Sequence, residues 1–263
     1  MDLGINGKIA LVTAASKGLG KAVALRLVLE KAHVIICSRN LEELKKTQTE
    51  IMAISGEKVE FYVCDVSRED QIKQMIDAII ADQGALDILL CNAGGPPPGR
   101  FDDFTSADYN KALELNLFST INLCRYSVPV MQERKWGRIV VITSVSVKQP
   151  IDSLILSNTA RAGVTGFLKT LSNLVAKDGI TVNAICPGYT KTQRVENLAK
   201  NFALNGQGSE EDFYKTLKAD IPMQRLGTPD EFAQAVAFLS SEGAGYITGV
   251  SLQVDGGYIK SLF

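Results

Sequence analysis

The strongest constraint on the fold is an alternation that runs the length of the chain. Short apolar runs at 9–13, 33–38, 59–64, 88–91, 138–143, 181–186 and 251–254 have the length and near-continuous hydrophobicity of strands buried on both faces. Between them lie stretches with helical patterning. Residues 19–31 place Leu19, Val23, Leu27 and Val28 on one stripe, and 41–55 carries a polar face. A third helix is expected from about Ser67, which can cap it, to Gln83, and a long one over 108–134. Residues 159–177 place Ala160, Val164, Phe167, Leu168, Leu171, Leu174 and Val175 on one side. Thr228-Pro229-Asp230-Glu231 is a capping box with proline in the first turn, and opens a last helix to Leu239. Such alternation implies an α/β fold, a parallel sheet covered on both faces. No Ser/Gly-rich or charged linker interrupts it, so residues 1–263 are expected to form one domain.

Composition removes several kinds of chemistry. The hydrophobic share of 46% supplies a core, and the charged share of 22% argues against wholesale disorder. Lys plus Arg (28) almost balances Asp plus Glu (29), so no broad field for nucleic acid or membrane is expected. Arg134-Lys135-Trp136-Gly137-Arg138 is basic with an aromatic, but it is a short turn before a strand. The one histidine, His33, opens the second strand without an identifiable triad partner, which leaves histidine-based nucleophile systems and catalytic zinc unsupported. Cysteines at 37, 64, 91, 124 and 186 form no C-x-x-C, and the first three recur every 27 residues, the length of one βα unit. They read as small buried apolar residues rather than metal ligands. The N-terminus lacks a signal-peptide pattern, and no uncharged apolar run approaches the roughly 18 residues of a membrane span. A soluble cytoplasmic protein without a metal, acting on a small molecule, is the expectation.

The first strand runs into Thr13-Ala14-Ala15-Ser16-Lys17-Gly18-Leu19-Gly20, which opens a helix. Glycines there let the backbone turn tightly beside a pyrophosphate, and the helix end offers free N–H groups and the positive end of its dipole. The second strand ends Cys37-Ser38-Arg39-Asn40. An acidic residue at this point would hold a ribose 2′-hydroxyl, whereas Arg39, with Lys17 in the glycine loop, suits a 2′-phosphate. NADP(H) is therefore expected over NAD(H); the alternative is that both cations are ordinary solvated side chains.

These segments, with Cys64-Asp65-Val66, Cys91-Asn92-Ala93-Gly94, Leu115-Asn116-Leu117, Ile142-Thr143-Ser144, Val182-Asn183-Ala184, Pro187-Gly188 and Val254-Asp255-Gly256-Gly257, occur in the order of a known family. The chain resembles the short-chain dehydrogenase/reductases, in particular members like 3-oxoacyl-ACP reductase, over nearly its whole length. The resemblance implies a three-layer, Rossmann-type doubly wound sheet of about seven strands. It implies hydride transfer between a nicotinamide and a carbonyl or alcohol, and a homodimer or homotetramer packed through the 108–134 and 159–177 helices. It also implies a substrate lid around 189–220. Cofactor contacts would come from Thr13, Ser16, Lys17, Gly18, Leu19, Gly20, Ser38, Arg39, Asp65, Val66, Asn92, Ala93, Gly94, Arg161, Pro187, Gly188, Thr190 and Thr192. Ala14 stands where the family has the first glycine of its loop.

The family's catalytic set is Ser, Tyr and Lys, with an Asn that helps to hold a water relay. Ser144 matches the serine and Asn116 the asparagine. The tyrosine position, 13 residues after Ser144, is Ser157, and the lysine position is Arg161, in register because Arg161-Ala162-Gly163-Val164 matches the usual K-A-G-V. A serine hydroxyl is a far weaker acid than a tyrosine beside a cation. Arg161 keeps a charge that can bind ribose hydroxyls or an anion, but it cannot give and retake a proton as lysine can. Losing a general acid typically costs about 10²–10⁴-fold, or about 3–5 kcal/mol. Lys148, Asp152 and Tyr189 are candidate replacements, although a solvated loop position explains each as simply. Tyr214-Lys215-Thr216-Leu217-Lys218 is a literal Y-x-x-x-K, but it lies in the lid segment, past the sixth strand. Asn92-Ala93-Gly94-Gly95-Pro96-Pro97-Pro98-Gly99 is a stiff segment that either walls the nicotinamide site or is a plain connection. Three functions fit these residues: an oxidoreductase with an altered catalytic set (Ser144, Ser157, Arg161 and Asn116), a cofactor-binding but redox-silent protein, and a non-redox enzyme. Halohydrin dehalogenases exemplify the third, but they keep the tyrosine and lose the nucleotide loop, the reverse of this chain.

Overall fold

A computed structural model describes residues 2–262. Seven strands, β1 (Ile9–Val12), β2 (His33–Ser38), β3 (Glu60–Val63), β4 (Ile88–Cys91), β5 (Gly137–Ile142), β6 (Ile180–Pro187) and β7 (Ser251–Val254), form one sheet in the order β3-β2-β1-β4-β5-β6-β7. All six pairings are parallel. The chain builds outward from β1 to β3, then restarts at β4 on the other side of β1. That reversal opens a crevice at the carboxyl ends of β1 and β4.

Period-two alternation sends successive strand residues to opposite layers, and both are apolar. Ala10, Val12, Val34, Ile36, Ile88, Leu90, Val140 and Ile142 pack in one core with α1 (Gly18–Leu29), α2 (Leu41–Ser55) and α9 (Pro229–Leu239). Leu11, Ile35, Cys37, Leu89, Cys91, Ile139 and Val141 pack in the other with α3 (Glu69–Gln83), α5 (Ser119–Arg134) and α6 (Ile155–Val175). The five cysteines are free and buried, as expected, with Cys124 inside α5 and the other four in or next to strands.

Several elements differ from the sequence expectation. The long helix is α4 (Ser106–Leu113) continued into α5 through a π turn, Glu114–Phe118. Helix α3 is N-capped by Arg68, because the Ser67 hydroxyl is used on Asp65 Oδ1 at 2.8 Å. Helix α6 starts at Ile155 rather than 159: Asn158 Nδ2 donates to Ile151 O at 2.9 Å and fixes the entry without a capping side chain. Two helices between β6 and α9, α7 (Gln193–Leu204) and α8 (Glu210–Asp220), had no counterpart in the apolar patterning.

The basic turn is structural. The Trp136 ring lies between Lys8 Nζ, 4.0 Å from its centroid, and the Arg138 guanidinium at 4.4 Å, while Arg138 Nε donates to Ser241 O at 2.9 Å. His33 Nε2 lies 3.1 Å from Glu60 Oε1. Among the described residues no helix is long and apolar enough to cross a membrane, and no group of three or more His, Cys, Asp or Glu is placed to hold a metal.

Candidate active site

The crevice begins with the loop between β1 and α1. Thr13 is fully buried, and its hydroxyl donates to Asn92 O at 2.7 Å and accepts from Asn92 N at 2.8 Å. Asn92 Nδ2 donates to Ala14 O at 3.2 Å. Thr13 and Asn92 thus join the ends of β1 and β4, and their polar groups shape the loop. Gly20 sits where a Cβ would lie 2.6 Å from Ala14 O and 2.8 Å from Asn92 Nδ2, so only glycine permits this closeness. Gly18 has φ +59°, and Ala14 also takes a left-handed conformation, φ +46°. Ser16 O accepts from Thr47 Oγ1 at 2.8 Å, which ties the loop to α2. Lys17 is the extended N-cap of α1 without a side-chain cap bond, and the first turn carries no acidic residue. The first-turn N–H groups therefore remain available to a phosphate.

At the edge beside β2, Arg39 is exposed, with Nη1 4.0 Å from Asp65 Oδ2, and Lys17 is exposed with no carboxylate within 4.0 Å among the described residues. The Ser38 hydroxyl makes only long local contacts, accepting from Asn40 N at 3.4 Å and donating to Asn40 O at 3.5 Å. Asp65 Oδ1 accepts from Ser67 N at 3.0 Å, and Val66 is buried beside it. No acidic side chain stands at position 39 to repel a 2′-phosphate.

At the other end, Ser144 follows β5 and caps one 3₁₀ turn, its Oγ accepting from Ser146 N at 3.1 Å. The early start of α6 places both Ser157 and Arg161 within it, one turn apart on the same side. Ser157 is buried, and its hydroxyl makes no side-chain hydrogen bond among the described residues. Arg161 is 8% exposed, donates from Nη1 to Ile142 O at 2.8 Å, and has no carboxylate within 4.0 Å among the described residues. Burial, reinforced by the Arg194 guanidinium, pushes its pKa down to about 10. It remains a cation at neutral pH.

Asn116 lies in the π turn, and its Nδ2 donates to Ala112 O at 3.3 Å. Its Oδ1 is buried without a hydrogen-bond partner among the described residues. Asn116 and Arg161 share a cavity of about 10 Å³ with Asn92, Ala93, Ser119 and Thr120, the volume of one water molecule.

The segment after β6 covers this end. Gly188 N donates to Val254 O at 3.1 Å, and a Cβ on Gly188 would lie 2.7 Å from that of Asp255. Thr190 is buried in a bridge to Gly227, whereas the Thr192 hydroxyl at the start of α7 makes no capping bond. Helices α7 and α8 carry a small core of their own, Val195, Leu217 and Leu226 with Tyr189, Phe213 and Tyr214. Tyr214 packs on Phe213 with ring centroids 5.7 Å apart, so the literal Y-x-x-x-K belongs to that core. Of the candidate replacement acids, Tyr189 is pushed up to about 12 by burial and by Tyr258, which makes it a weaker acid than an ordinary tyrosine. Asp152 is exposed and lines a separate groove with Arg100, Gln149 and Tyr258. Lys148 lies close enough to Cys186 to act on its thiol electrostatically. The proline segment is held by Gly99 N donating to Ser153 O at 2.7 Å. Sequence reasoning missed Arg194, whose guanidinium lies against Gly95: a Cβ there would be 2.0 Å from Nη1. The Gly94-Gly95 pair was the only trace of that close approach in the sequence.

The glycine cradle, the open helix end and the two surface cations fit a dinucleotide with phosphates at β1 and its reactive ring beside Ser144. Comparison with known proteins agrees. A family model described as enoyl-(acyl carrier protein) reductase matches residues 13–259. Nodulation protein G of Azospirillum brasilense is 37% identical over 252 residues, 95% of this chain and 97% of that protein. L-sorbose reductase from Gluconobacter frateurii, solved with NADPH and L-sorbose, superposes with a TM-score of 0.95 at 30% identity over 100% of both chains. YwfH, an NADPH-dependent reductase involved in bacilysin biosynthesis, gives 0.93 at 29% identity over 98% of this chain and 100% of that one. Fold and site together define a nicotinamide-dependent oxidoreductase. The chain belongs to the short-chain dehydrogenase/reductase family.

Proposed function

We propose that the protein is an NADP(H)-dependent oxidoreductase that interconverts a carbonyl and an alcohol with Ser144, Ser157, Arg161 and Asn116 in place of the family's usual set. The observation that carries this reading is convergence. The open N-terminus of α1, flanked by Lys17 and Arg39, meets Ser144 and the unpaired Arg161 cation in one crevice. NADPH, when bound, supplies a hydride to the carbonyl carbon, while the carbonyl oxygen takes a proton derived from water.

Each residue has a distinct part. Ser144 and Ser157 donate hydrogen bonds to the substrate oxygen. Arg161 supplies a fixed positive charge toward the oxygen as it becomes negative, electrostatic stabilisation without proton transfer. Asn116 offers its unpartnered Oδ1 to a water in the cavity that it shares with Arg161, and this gives the proton a route from solvent. Thr192, with a free hydroxyl, contacts the nicotinamide carboxamide, and the 189–220 segment serves as the lid of a single-domain enzyme. NADPH is preferred because Lys17 and Arg39 meet the 2′-phosphate; the NADPH-dependent YwfH and the NADPH-bound L-sorbose reductase support this. A homodimer or homotetramer belongs to the same reading.

The test is NADPH oxidation followed against a panel of ketones and aldehydes. Turnover is expected, about 10²–10⁴-fold below that of a tyrosine-bearing reductase, and lost in Ser144→Ala and in Arg161→Ala. Titration is expected to show tighter binding of NADPH than of NADH, and equal affinities would overturn the cofactor assignment. A second reading has one observation in its favour: the candidate acid Tyr189 is packed in the α7–α8 core and against the Tyr258 ring, with centroids 5.4 Å apart. Tight NADPH binding with no oxidation across the panel would establish that redox-silent reading.

A further inference from the structure

The site collects positive charge without matching negative charge. Arg161, more than nine-tenths buried, spends one nitrogen on Ile142 O and has no ion-pair partner within 4.0 Å among the described residues. Arg194, exposed in the first turn of α7, lies against Gly95, two residues past the Ala93 that lines the Arg161 cavity. Its guanidinium fills the space that a side chain at position 95 would occupy and also lacks an ion-pair partner among the described residues. Arg194 is near enough that its charge disfavours the Arg161 cation. Lys148 adds positive charge from the β5 side. The acidic neighbour, Asp255, already accepts from Gly257 N at 2.9 Å and Ile259 N at 3.0 Å.

A buried guanidinium such as that of Arg161 costs free energy unless an anion is placed beside it, and Arg194, which is exposed, is free to bring one there. The cofactor phosphates are met at the other end of the crevice, by the α1 N-terminus, Lys17 and Arg39. Arg194 instead lies beyond Asn92-Ala93-Gly94, on the reacting side. Its planar, two-donor fork matches a carboxylate.

We propose that Arg194, with the charge of Arg161 behind it, holds the carboxylate of the substrate, so that the carbonyl compound is an oxo acid. This rests on the oxidoreductase reading above and narrows its substrate class. Arg194 is a specificity-determining residue on the lid, and Gly95 is glycine because the guanidinium needs its space.

The test compares 2-oxo and 3-oxo acids with their methyl esters as substrates, alongside calorimetric binding of oxamate to the NADPH complex. The acid is expected to be preferred by about 10–100-fold in kcat/KM, the size of one charge-assisted contact. Arg194→Gln is expected to abolish the preference through KM, Arg194→Lys to restore part of it, and Gly95→Ala to weaken it by displacing the guanidinium with its charge intact. NADPH affinity is expected to be the same in all four proteins. Equal turnover of acid and ester overturns the proposal while the oxidoreductase reading stands. A loss of NADPH affinity in Arg194→Gln also overturns it and gives the guanidinium to the cofactor pyrophosphate. Arg194-dependent oxamate binding without reduction of any carbonyl keeps the carboxylate site and defeats the oxidoreductase reading.

Discussion

Single residues set the shape of the loop between β1 and α1, and Ala14 is one of them. Position 14 was visible as an alanine in place of a glycine, but its consequence depends on a backbone angle. With φ at +46°, the alanine carries left-handed strain of about 1 kcal/mol, offset in part by the lower entropy of its unfolded chain. Ala14→Gly is therefore expected to raise stability by at most about 0.5 kcal/mol, read as a higher denaturant midpoint at unchanged slope. A lower midpoint would mean that the loop holds alanine without strain. Ser157 and Arg161 were legible because spacing from Ser144 and the following Ala-Gly-Val fix the register. The burial of Arg161, and its approach to Arg194 from a separate helix, were not legible, because they arise from packing between segments distant in sequence.

Helix α9, where chemical punctuation and apolar periodicity coincide, was read correctly, whereas boundaries fixed by tertiary contacts were not. The Thr228 box forms as expected: Thr228 Oγ1 accepts from Glu231 N at 3.2 Å, and Glu231 Oε2 accepts from Thr228 N at 2.8 Å. Thr228→Ala is expected to cost about 1 kcal/mol in denaturation. Arg225 and the Thr228 N–H hold Glu231 down to about 2, against an ordinary 4.5. Its folded value is the lower, so its contribution is complete above 4.5 and disappears as pH falls through 2. The stability gap between wild type and Glu231→Gln should narrow over that window, and a gap independent of pH would disprove the ion pair's role. Helix α8 carried a comparable signal, Ser209 with Asp212 three residues on, which apolar periodicity alone passes over. The π turn at Asn116 has no punctuation at all. It adds one residue within a helix whose ends look ordinary, and so turns Asn116 toward the cavity.

At the scale of the whole molecule, the alternation specified a parallel sheet, while the strand order came only with the resemblance. Nothing local in a βα unit states on which side of β1 the next strand is added. The segments expected to pack between subunits leave Phe118 and Leu174 50% and 63% exposed. Light scattering at micromolar concentration is expected to give the mass of two or four chains, and a single-chain mass would remove the assembly. One feature of the crevice bears on how such a protein can change over time. The Thr13–Asn92 stitch joins the ends of β1 and β4 into a single floor, which on the proposed reading carries both the phosphate seat and the nicotinamide wall. Helices α7 and α8, with their own core, form a roof attached through the Thr190–Gly227 bridge. Floor and roof are thus separable inheritances: the roof can be rewritten for a new molecule while the hydride remains aimed by a floor that the rewriting does not touch.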